Sequence, residues 1–491
     1  MTPLLSDATV QDLPLAVARP TYDRSKLKAG IVHIGVGNFH RSHQALAMDR
    51  LFSKGLALDW AICGAGIMPN DQRMLRVMST QDCLYTLVQK NSDGTVDARV
   101  IGSIVDYLYG PDDPDALVEK LSSPDTKIVS LTITEGGYNF DQVTGEFIES
   151  NPDVQADLVP GSLPRSVFGY VTEALSRRRA RGIPAFTVLS CDNIQQNGEV
   201  ASRVFRAFAA LRDPALASWI TEFVRFPNSM VDRITPGTTE QDVEDVASLI
   251  GMRDGWPVVA EPFFQWVVED TFTMGRPPYE EADVQMVVDV EPYEVMKIRL
   301  LNGGHQTLAY FGLLSGHTYV HEAASDPVLE RLLRMYMELE AVPTLPPVPG
   351  VDVAQYVDSG IRRFQNPAIK DTLSRICAYT SDRIPKFLLP VVIHQLQTGG
   401  PIQLSAAVVA SWARYAEGLD EDGNPIEVVD QLLDEITAAA GAQRARPLAF
   451  IENRNLFGNL VDDERFRNAY LTALQSIFER GAHETVSTLV E

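Results

Sequence analysis

Residues 30–41 read Gly30-Ile31-Val32-His33-Ile34-Gly35-Val36-Gly37-Asn38-Phe39-His40-Arg41: an apolar run, a glycine turn and the start of a helical pattern. Because the run is apolar on both faces, it predicts a buried strand of a parallel sheet. The turn carries the first two glycines of the dinucleotide-binding pattern GxGxxG, with His40 at the third. Gly35 allows a tight turn, and Gly37 lets backbone amides approach a pyrophosphate at a helix N-terminus. The stretch therefore predicts a cofactor loop, which comprises Gly35, Val36, Gly37, Asn38 and Phe39.

Strand-like and helical patterns alternate over the first 290 residues, beginning with the strand before this loop. Strands are predicted at 30–36, 59–65, 127–133, 184–190, 257–261 and 284–290, and helices at 40–53, 162–181 and 199–213. This alternation predicts an α/β fold, with a Rossmann-like domain and a mostly parallel sheet over residues 1–290. Residues 82–108 differ, because two alternating runs joined by a turn at 91–94 predict a hairpin.

The strand signal fades after residue 290. Helices are predicted at 292–315, 327–340, 366–379, 402–417, 426–441 and 462–480. Residues 291–491 are therefore expected to form a mainly α-helical second domain, which agrees with a length too great for one ordinary domain.

The charge balance limits the classes of partner. Lys and Arg number 42 against 65 Asp and Glu, a net charge of −23. Such a surface repels nucleic acid and anionic membranes, so a small-molecule substrate is the expected partner. No apolar run approaches the roughly 18 residues that a membrane span needs. The start of the chain has no signal-peptide pattern, and the four cysteines form no CxxC pair. We expect a cytoplasmic protein without a metal site, and a monomer, with an oligomer left open.

A second glycine-rich strand end, residues 63–66, is followed by Asp71. An acid at the tip of the second strand can bind the adenosine ribose hydroxyls and repel a 2′-phosphate. No Arg or Lys lies between residues 64 and 72, where a 2′-phosphate would need one. The sequence therefore predicts NAD rather than NADP as the cofactor.

The helix predicted from residue 292 carries polar side chains on an otherwise apolar surface. At 100° per residue, Glu294, Lys297, Asn302 and His305 fall within an arc of about 140°. Burial lowers the pKa of an amine, so Lys297 is expected to take the proton of an alcohol while a hydride leaves the carbinol carbon. Asn302 and another carboxamide would donate to the developing oxyanion, and His305 would orient the substrate through a neighbouring hydroxyl.

Two other interpretations of this helix stay open on these residues. Glu294 and Lys297 could form an internal salt bridge beside a core histidine. Tyr293 and Lys297 also match the YxxxK pair of short-chain dehydrogenases, although they lie too far from the glycine turn for that family.

Several motifs together resemble those of the polyol-specific long-chain dehydrogenases, the mannitol dehydrogenase family. They are GVGNFHRSH at 35–43, TEGGY at 134–138, CDNIQQNG at 191–198, SMVDRITP at 229–236, EPFFQW at 261–266 and KIRLLNGGH at 297–305. The resemblance covers essentially the whole chain. It implies metal-independent, NAD-dependent oxidation of a sugar alcohol to a 2-ketose, D-mannitol to D-fructose, in a cleft between a Rossmann-like and a helical domain.

The resemblance also implies roles for individual residues. Lys297 would be the catalytic acid/base, and Asn193 and Asn302 would be the oxyanion-stabilising pair. His305 would hold the substrate, and Glu294 would gate proton exchange with bulk water. The remaining implied contacts are Asp71 and Glu135 for the cofactor, and Asp232, Arg375 and Arg383 for the substrate. Family members often carry Lys where this chain has Arg383, which leaves the substrate preference open.

Alternatives remain open within and outside the family. A hexuronate reductase (acting on fructuronate or tagaturonate) would use Arg375, Arg383 and Lys386 for the substrate carboxylate, and a D-arabinitol dehydrogenase would keep the same chemistry. A non-enzymatic NAD-binding redox sensor would need no buried Lys297. Without the resemblance, Asn193 reads as a turn residue and Asp232 as part of a surface ion pair with Arg233.

Overall fold

The computed structural model describes residues 2–141 and 144–491. The chain forms two compact units, the first ending at Glu291 and the second running from Pro292 to Glu491. Within the described ranges, every helix is too short or too polar to cross a lipid bilayer.

The first unit contains strands and helices in alternation. Its strands are β1 Ala29–Ile34, β2 Ala61–Gly66, β3 Tyr85–Lys90, β4 Val96–Ile101, β5 Ile104–Tyr109, β6 Ile128–Leu131, β7 Thr187–Ser190, β8 Ser229–Asp232, β9 Val258–Ala260, β10 Gln265–Glu269 and β11 Gln285–Val287. Its helices are α1 Asn38–Ser42, α2 Gln44–Ser53, α3 Gln72–Thr80, α4 Pro114–Ser122, α5 Thr134–Gly137, α6 Pro152–Asp157, α7 Val167–Arg181, α8 Asn197–Arg212, α9 Pro214–Phe223 and α10 Glu240–Ile250.

Five strands form a parallel sheet in the order β5-β2-β1-β6-β7. Ile31 belongs to the apolar core on one face of the sheet, and Val32 and Ile34 belong to the core on the other face. The predicted Rossmann-like sheet is thereby confirmed. Chain order reverses between β1 and β6, and ligands of such sheets bind at the carboxyl ends of the strands beside this point.

Two smaller sheets complete the first unit, in the orders β4-β3-β9 and β11-β10-β8. The antiparallel pair β3–β4 is the predicted hairpin. Residues 104–109, which the sequence grouped with this hairpin region, instead form the edge strand β5 of the parallel sheet.

The second unit is helical, as predicted. Its helical elements are α11 Glu291–Lys297, a π turn Ile298–Asn302, α12 Gly303–Leu314, α13 Val320–Ser325, α14 Pro327–Met335, a second π turn Tyr336–Ala341, α15 Val353–Phe364, α16 Leu373–Ile376, α17 Thr380–Phe387, α18 Leu389–Thr398, α19 Gln403–Tyr415, α20 Leu433–Ala442, α21 Arg454–Phe457, α22 Glu464–Arg480 and α23 Ala482–Val490. Helix α12 lies at the centre, because α13, α14, α16, α19 and α23 all pack against it.

The helix predicted at 366–379 is wrong. Helix α15 ends at Phe364, and only α16 is helical within the predicted range. Pro367 explains the break, because the residue before a proline disfavours helical backbone. Helix α15 begins at Val353, and the side chain of the preceding Asp352 accepts the Gln355 amide as an N-cap.

Candidate active site

The glycine turn after β1 has the geometry of a pyrophosphate-binding loop. Gly35 has φ +95°, and a Cβ there would lie 2.1 Å from the Thr132 carbonyl oxygen, so only glycine fits. Gly37 has extended backbone, and an added Cβ would approach nothing nearer than the Gly35 carbonyl at 3.8 Å. The space above Gly37 is therefore open to a ligand. Among the residues that the structure describes, no side chain caps the N-terminus of α1, so its first amides suit an anion.

Arg41 and Asn38 hold this turn in place. The buried Arg41 guanidinium donates to the Asn38 side-chain oxygen at 2.7 Å and to the carbonyls of Gly37 and Trp256. The Asn38 side-chain nitrogen donates to two oxygen atoms of segment 236–238, at 3.1 and 3.0 Å. The Asn38 side chain thus fixes the loop, and the predicted contact of Asn38 with the cofactor stays a prediction.

Val36 and Phe39 support the turn by packing. Val36 is buried beside Gly64 of β2, and the Phe39 ring stacks on His43 with centroids 4.7 Å apart. Any contact of these two residues with the cofactor stays a prediction.

Neutral histidines lie beneath the turn. His33 interacts with the Ser130 hydroxyl at 2.8 Å and the Thr132 hydroxyl at 2.9 Å, and it stacks on His40 at 3.4 Å between ring centroids. Burial lowers the pKa of His33 and of His43 to about 3, and it lowers the pKa of His40 well below its usual value. Across the described part of the chain, no three His, Cys, Asp or Glu side chains form a group suited to a metal ion.

Asp71 lies just after β2, as predicted. Its Oδ2 accepts the backbone amides of Ile67 and Met68, each at 2.9 Å. A Cβ at Gly66 would lie 2.5 Å from the Asp71 Cβ, so the glycine lets the carboxylate approach the strand end. Arg73 lies one residue beyond the cation-free interval 64–72, with its guanidinium carbon 4.1 Å from the centroid of the Trp256 ring.

A buried carboxylate, Asp192, joins the carboxyl ends of β6 and β7. It accepts the amides of Ile133 and Thr134 at 3.0 and 2.8 Å, and the Tyr138 hydroxyl at 2.8 Å. Thr134 has φ +63°, a strained conformation that costs about 1–3 kcal/mol. These bonds tie the segment after β6, which carries exposed Glu135, to the segment after β7, which carries exposed Asn193. Asp192 was not predicted as a site residue, although the CDN motif at 191–193 contains it.

Asp232 ends strand β8 and is only 4% exposed. The neighbouring Arg233 is 5% exposed, and its guanidinium donates to the carbonyls of Glu261 and Ser42. The surface ion pair considered for Asp232 is therefore wrong, because both side chains are buried. The pKa of His43 is lowered mainly by burial, and the negative charge of Asp232 opposes this effect by raising it.

In the second unit, the polar residues of the predicted catalytic helix lie around the first π turn. Glu294 and Lys297 are each 5% exposed, and α11 ends at Lys297. Asn302 ends the π turn, and His305 lies in the first turn of α12. A π turn contains about one residue more than an α turn, which rotates later residues by about 100°. The arc around the helix axis that contains the four polar residues thus narrows from the predicted value of about 140° to about 80°.

The contacts of Tyr293 and His305 show what surrounds this helix, and those of Tyr293 argue against the YxxxK interpretation. The Tyr293 hydroxyl donates to the Pro349 carbonyl at 2.7 Å, so it serves the packing of a loop rather than a YxxxK pair. The His305 ring packs against the Phe364 ring, with centroids 4.1 Å apart.

The cationic side chains that were considered for substrate binding form ion pairs or hydrogen bonds with other residues of the second unit. Arg375 forms a bidentate ion pair with Asp371, at 2.6 and 2.5 Å. Arg383 donates to the carbonyls of Arg375 and Ile376, at 3.1 and 2.8 Å, and so holds the backbone of the Arg375 segment. Lys386 pairs with Asp382 at 2.6 Å.

Comparison with known proteins gave matches along nearly the whole chain. The family model of the mannitol dehydrogenase Rossmann domain matches residues 29–281, and that of the mannitol dehydrogenase C-terminal domain matches residues 289–478. Mannitol 2-dehydrogenase of Neosartorya fischeri is 44% identical over 479 residues, 96% of this chain and 95% of the relative. A mannitol dehydrogenase of Saccharomyces cerevisiae is 44% identical over 490 residues, 99% of this chain and 97% of the relative.

Two solved structures are similar over their full length. Mannitol 2-dehydrogenase of Pseudomonas fluorescens, in a ternary complex with NAD and D-mannitol, is 42% identical with a TM-score of 0.88, and 99% of each chain is covered. A substrate-free D-sorbitol dehydrogenase is 38% identical with a TM-score of 0.89, covering 98% of this chain and 100% of the other.

Proposed function

Since this chain belongs to the mannitol dehydrogenase family, we propose that it is an NAD-dependent, metal-independent polyol dehydrogenase that interconverts D-mannitol and D-fructose. The observation that carries the chemistry is the burial of the Lys297 amine in a helix that also carries Asn302 and His305. A sensor that only binds NAD would have no use for a buried amine, whose burial is costly without a purpose.

The proposed reaction needs a proton acceptor and a hydride acceptor. Bound NAD supplies the acceptor for the hydride that leaves the carbinol carbon. As the C–H bond breaks, the substrate hydroxyl gives its proton to the neutral Lys297 Nζ, and a C=O bond forms. Burial favours this neutral amine before the proton arrives.

The neighbouring side chains have supporting roles in the proposal. The Asn193 and Asn302 amides donate hydrogen bonds to the substrate oxygen as negative charge develops on it. His305 binds an adjacent hydroxyl and so orients the carbinol carbon. Glu294, one turn before Lys297 on the same helix, passes the proton onward to water.

The first unit offers groups that fit the cofactor. The open space above Gly37 and the uncapped N-terminus of α1 suit the pyrophosphate. Because both amides held by Asp71 go to Oδ2, we assign Oδ1 to the adenosine ribose hydroxyls. Glu135, held by the Asp192 bonds, is assigned to the same cofactor.

The existing partners of the cationic side chains favour a neutral polyol over a hexuronate as the substrate. The Arg375 and Lys386 charges are offset by Asp371 and Asp382, and Arg383 is directed to backbone carbonyls. A substrate carboxylate would have to compete with these partners. We therefore assign Asp232 and Arg375 to hydrogen bonds with substrate hydroxyls, and Arg383 to the support of Arg375.

The test is a kinetic panel with the purified protein and the variant Lys297→Ala. D-mannitol, D-arabinitol, D-sorbitol and D-fructose, and the uronates fructuronate and tagaturonate, are assayed with NAD(H) and NADP(H) by absorbance of the reduced cofactor. We expect the highest kcat/KM for D-mannitol with NAD. Lys297→Ala should lower kcat by about 10³-fold, the typical contribution of a positioned general base, with NAD affinity within about twofold of the parent.

Lys370→Ala is the matched control, because Lys370 is an exposed lysine of the same unit. It should leave every kinetic constant unchanged. Full activity of Lys297→Ala, or a preference for a uronate, would overturn the assignment.

A further inference from the structure

A hydrogen bond joins the two π turns of the second unit. The Tyr336 hydroxyl, at the start of the second π turn, donates to the Arg299 carbonyl of the first at 2.9 Å. In a regular α-helix, the Gly303 amide would bond this carbonyl. Here the Gly303 amide is directed to the carbonyls of Ile298 and Leu300. The Tyr336 hydroxyl therefore occupies the acceptor that the widened turn sets free.

Two glycines allow the second π turn to come this close. A Cβ at Gly303 would lie 2.3 Å from the Tyr336 hydroxyl oxygen, and one at Gly304 would lie 2.6 Å from the Met337 methyl carbon. Tyr336 is fully buried, so water cannot replace its hydroxyl at the Arg299 carbonyl.

The widened turn lies between the candidate base and the two residues that would bind the substrate oxygens. It begins directly after Lys297, and Asn302 is its last residue. If the turn relaxed to α-helical geometry, His305 would rotate by about 100° around the helix axis relative to Lys297. A misplacement of about 1 Å is enough to cost on the order of 100-fold in rate.

We propose that Tyr336 is a positioning residue for polyol oxidation, whose hydroxyl keeps the π turn open and thereby sets Asn302 and His305 against Lys297. The inference rests on the proposed function, because it assumes that these three residues act on one substrate. Burial and the nearby Glu340 raise the pKa of Tyr336, so the hydroxyl keeps the proton that it donates.

The experiment replaces the hydroxyl and keeps the ring. Tyr336→Phe should lower kcat for D-mannitol oxidation by on the order of 10- to 100-fold, with the KM for NAD unchanged. With mannitol deuterated at the reacting carbon, the primary isotope effect on kcat should rise toward its full value, because hydride transfer becomes the slow step. A purely structural role would lower the Tm without raising the isotope effect.

Tyr310→Phe is the matched control. Tyr310 is a fully buried tyrosine of α12, and its hydroxyl donates to the Gln306 side-chain oxygen at 2.6 Å. This variant loses a hydrogen bond of the same kind without touching the Arg299 carbonyl. We expect a similar fall in Tm, with kcat within about threefold of the parent and the same isotope effect.

A second variant covers the case in which Tyr336→Phe does not fold. Gly303→Ala displaces the tyrosine hydroxyl by steric contact and should give the same loss of kcat and the same rise in the isotope effect. A parent enzyme that oxidises no polyol would overturn the proposed function and this inference together. If the parent is active, and Tyr336→Phe or, failing that, Gly303→Ala matches it in kcat and isotope effect, only the positioning role is overturned.

Discussion

Cofactor choice offers a quantitative test of one carboxylate, Asp71. In Asp71→Ala, the acceptor assigned to the adenosine ribose disappears together with its charge. The fold should tolerate the change, because the two amides that lose their partner belong to partly exposed Ile67 and exposed Met68, which water can reach. We expect a loss of stability of about 1 kcal/mol, typical for the removal of such a cap.

The magnitude follows from two separate effects. A hydrogen bond to a charged acceptor contributes about 1.5–3 kcal/mol, so NAD should lose about 10- to 100-fold in kcat/KM. Removing a like charge beside a 2′-phosphate should help NADP by about 1–2 kcal/mol after screening, roughly tenfold. The NAD/NADP ratio of kcat/KM should therefore fall by about 10²- to 10³-fold.

Steady-state kinetics with both cofactors at saturating D-mannitol measure this ratio. Asp71→Asn is the control for charge, because its amide oxygen can still accept hydrogen bonds, and it should shift the ratio by only about tenfold. An unchanged ratio in both variants would refute the assignment. In that event, Arg73 beside Trp256 is the next residue to test.

Two further predictions concern a glycine and a buried acid. Gly37→Ala should raise the NAD dissociation constant at least about tenfold in calorimetry, because the added Cβ would occupy the space assigned to the pyrophosphate. The Tm should change by less than about 2 °C, since this Cβ meets only open space in the protein. The control Gly441→Ala should change neither quantity, and unaltered NAD binding in Gly37→Ala would contradict the phosphate-binding role. Burial raises the pKa of Glu340 to about 7 from an ordinary 4.5, against the opposing effect of the Ser405 hydroxyl and the Leu404 and Ser405 amides. The folded state thus holds this proton more tightly, so stability is lost as pH rises from 4.5 to 7, by about 3 kcal/mol over that interval. Urea denaturation at pH 5 and 7.5 should reveal this loss in the parent and not in Glu340→Gln, and equal pH dependence of the two would contradict it.

Much of the first unit followed from local pattern. Strand β1 and the glycine turn were predictable because apolar burial on both faces and a positive φ each leave a signature in residue type. Strand β5 was not, because it follows the hairpin β3–β4 after two residues, and its parallel pairing with β2 depends on distant contacts.

The polar residues of the candidate site could be predicted from the sequence, whereas the residues that hold them in place could not. Lys297 was identifiable as a charge within an apolar helix. The π turn after it has no composition of its own, and it depends on Tyr336, which lies 37 residues away. Asp192 was hidden for a similar reason, since its partners lie about 58 residues earlier in the chain.

The stacked imidazoles under the glycine turn make the pH–rate profile simpler to interpret. Burial lowers the pKa of His33 and of His43 to about 3 and lowers the pKa of His40 well below its usual value, so these three rings stay uncharged near neutral pH. Three of the eight histidines are thereby removed as sources of an inflection near neutrality. An ionisation seen there in turnover can be traced to other groups, with the lysine of the second unit as the first to examine.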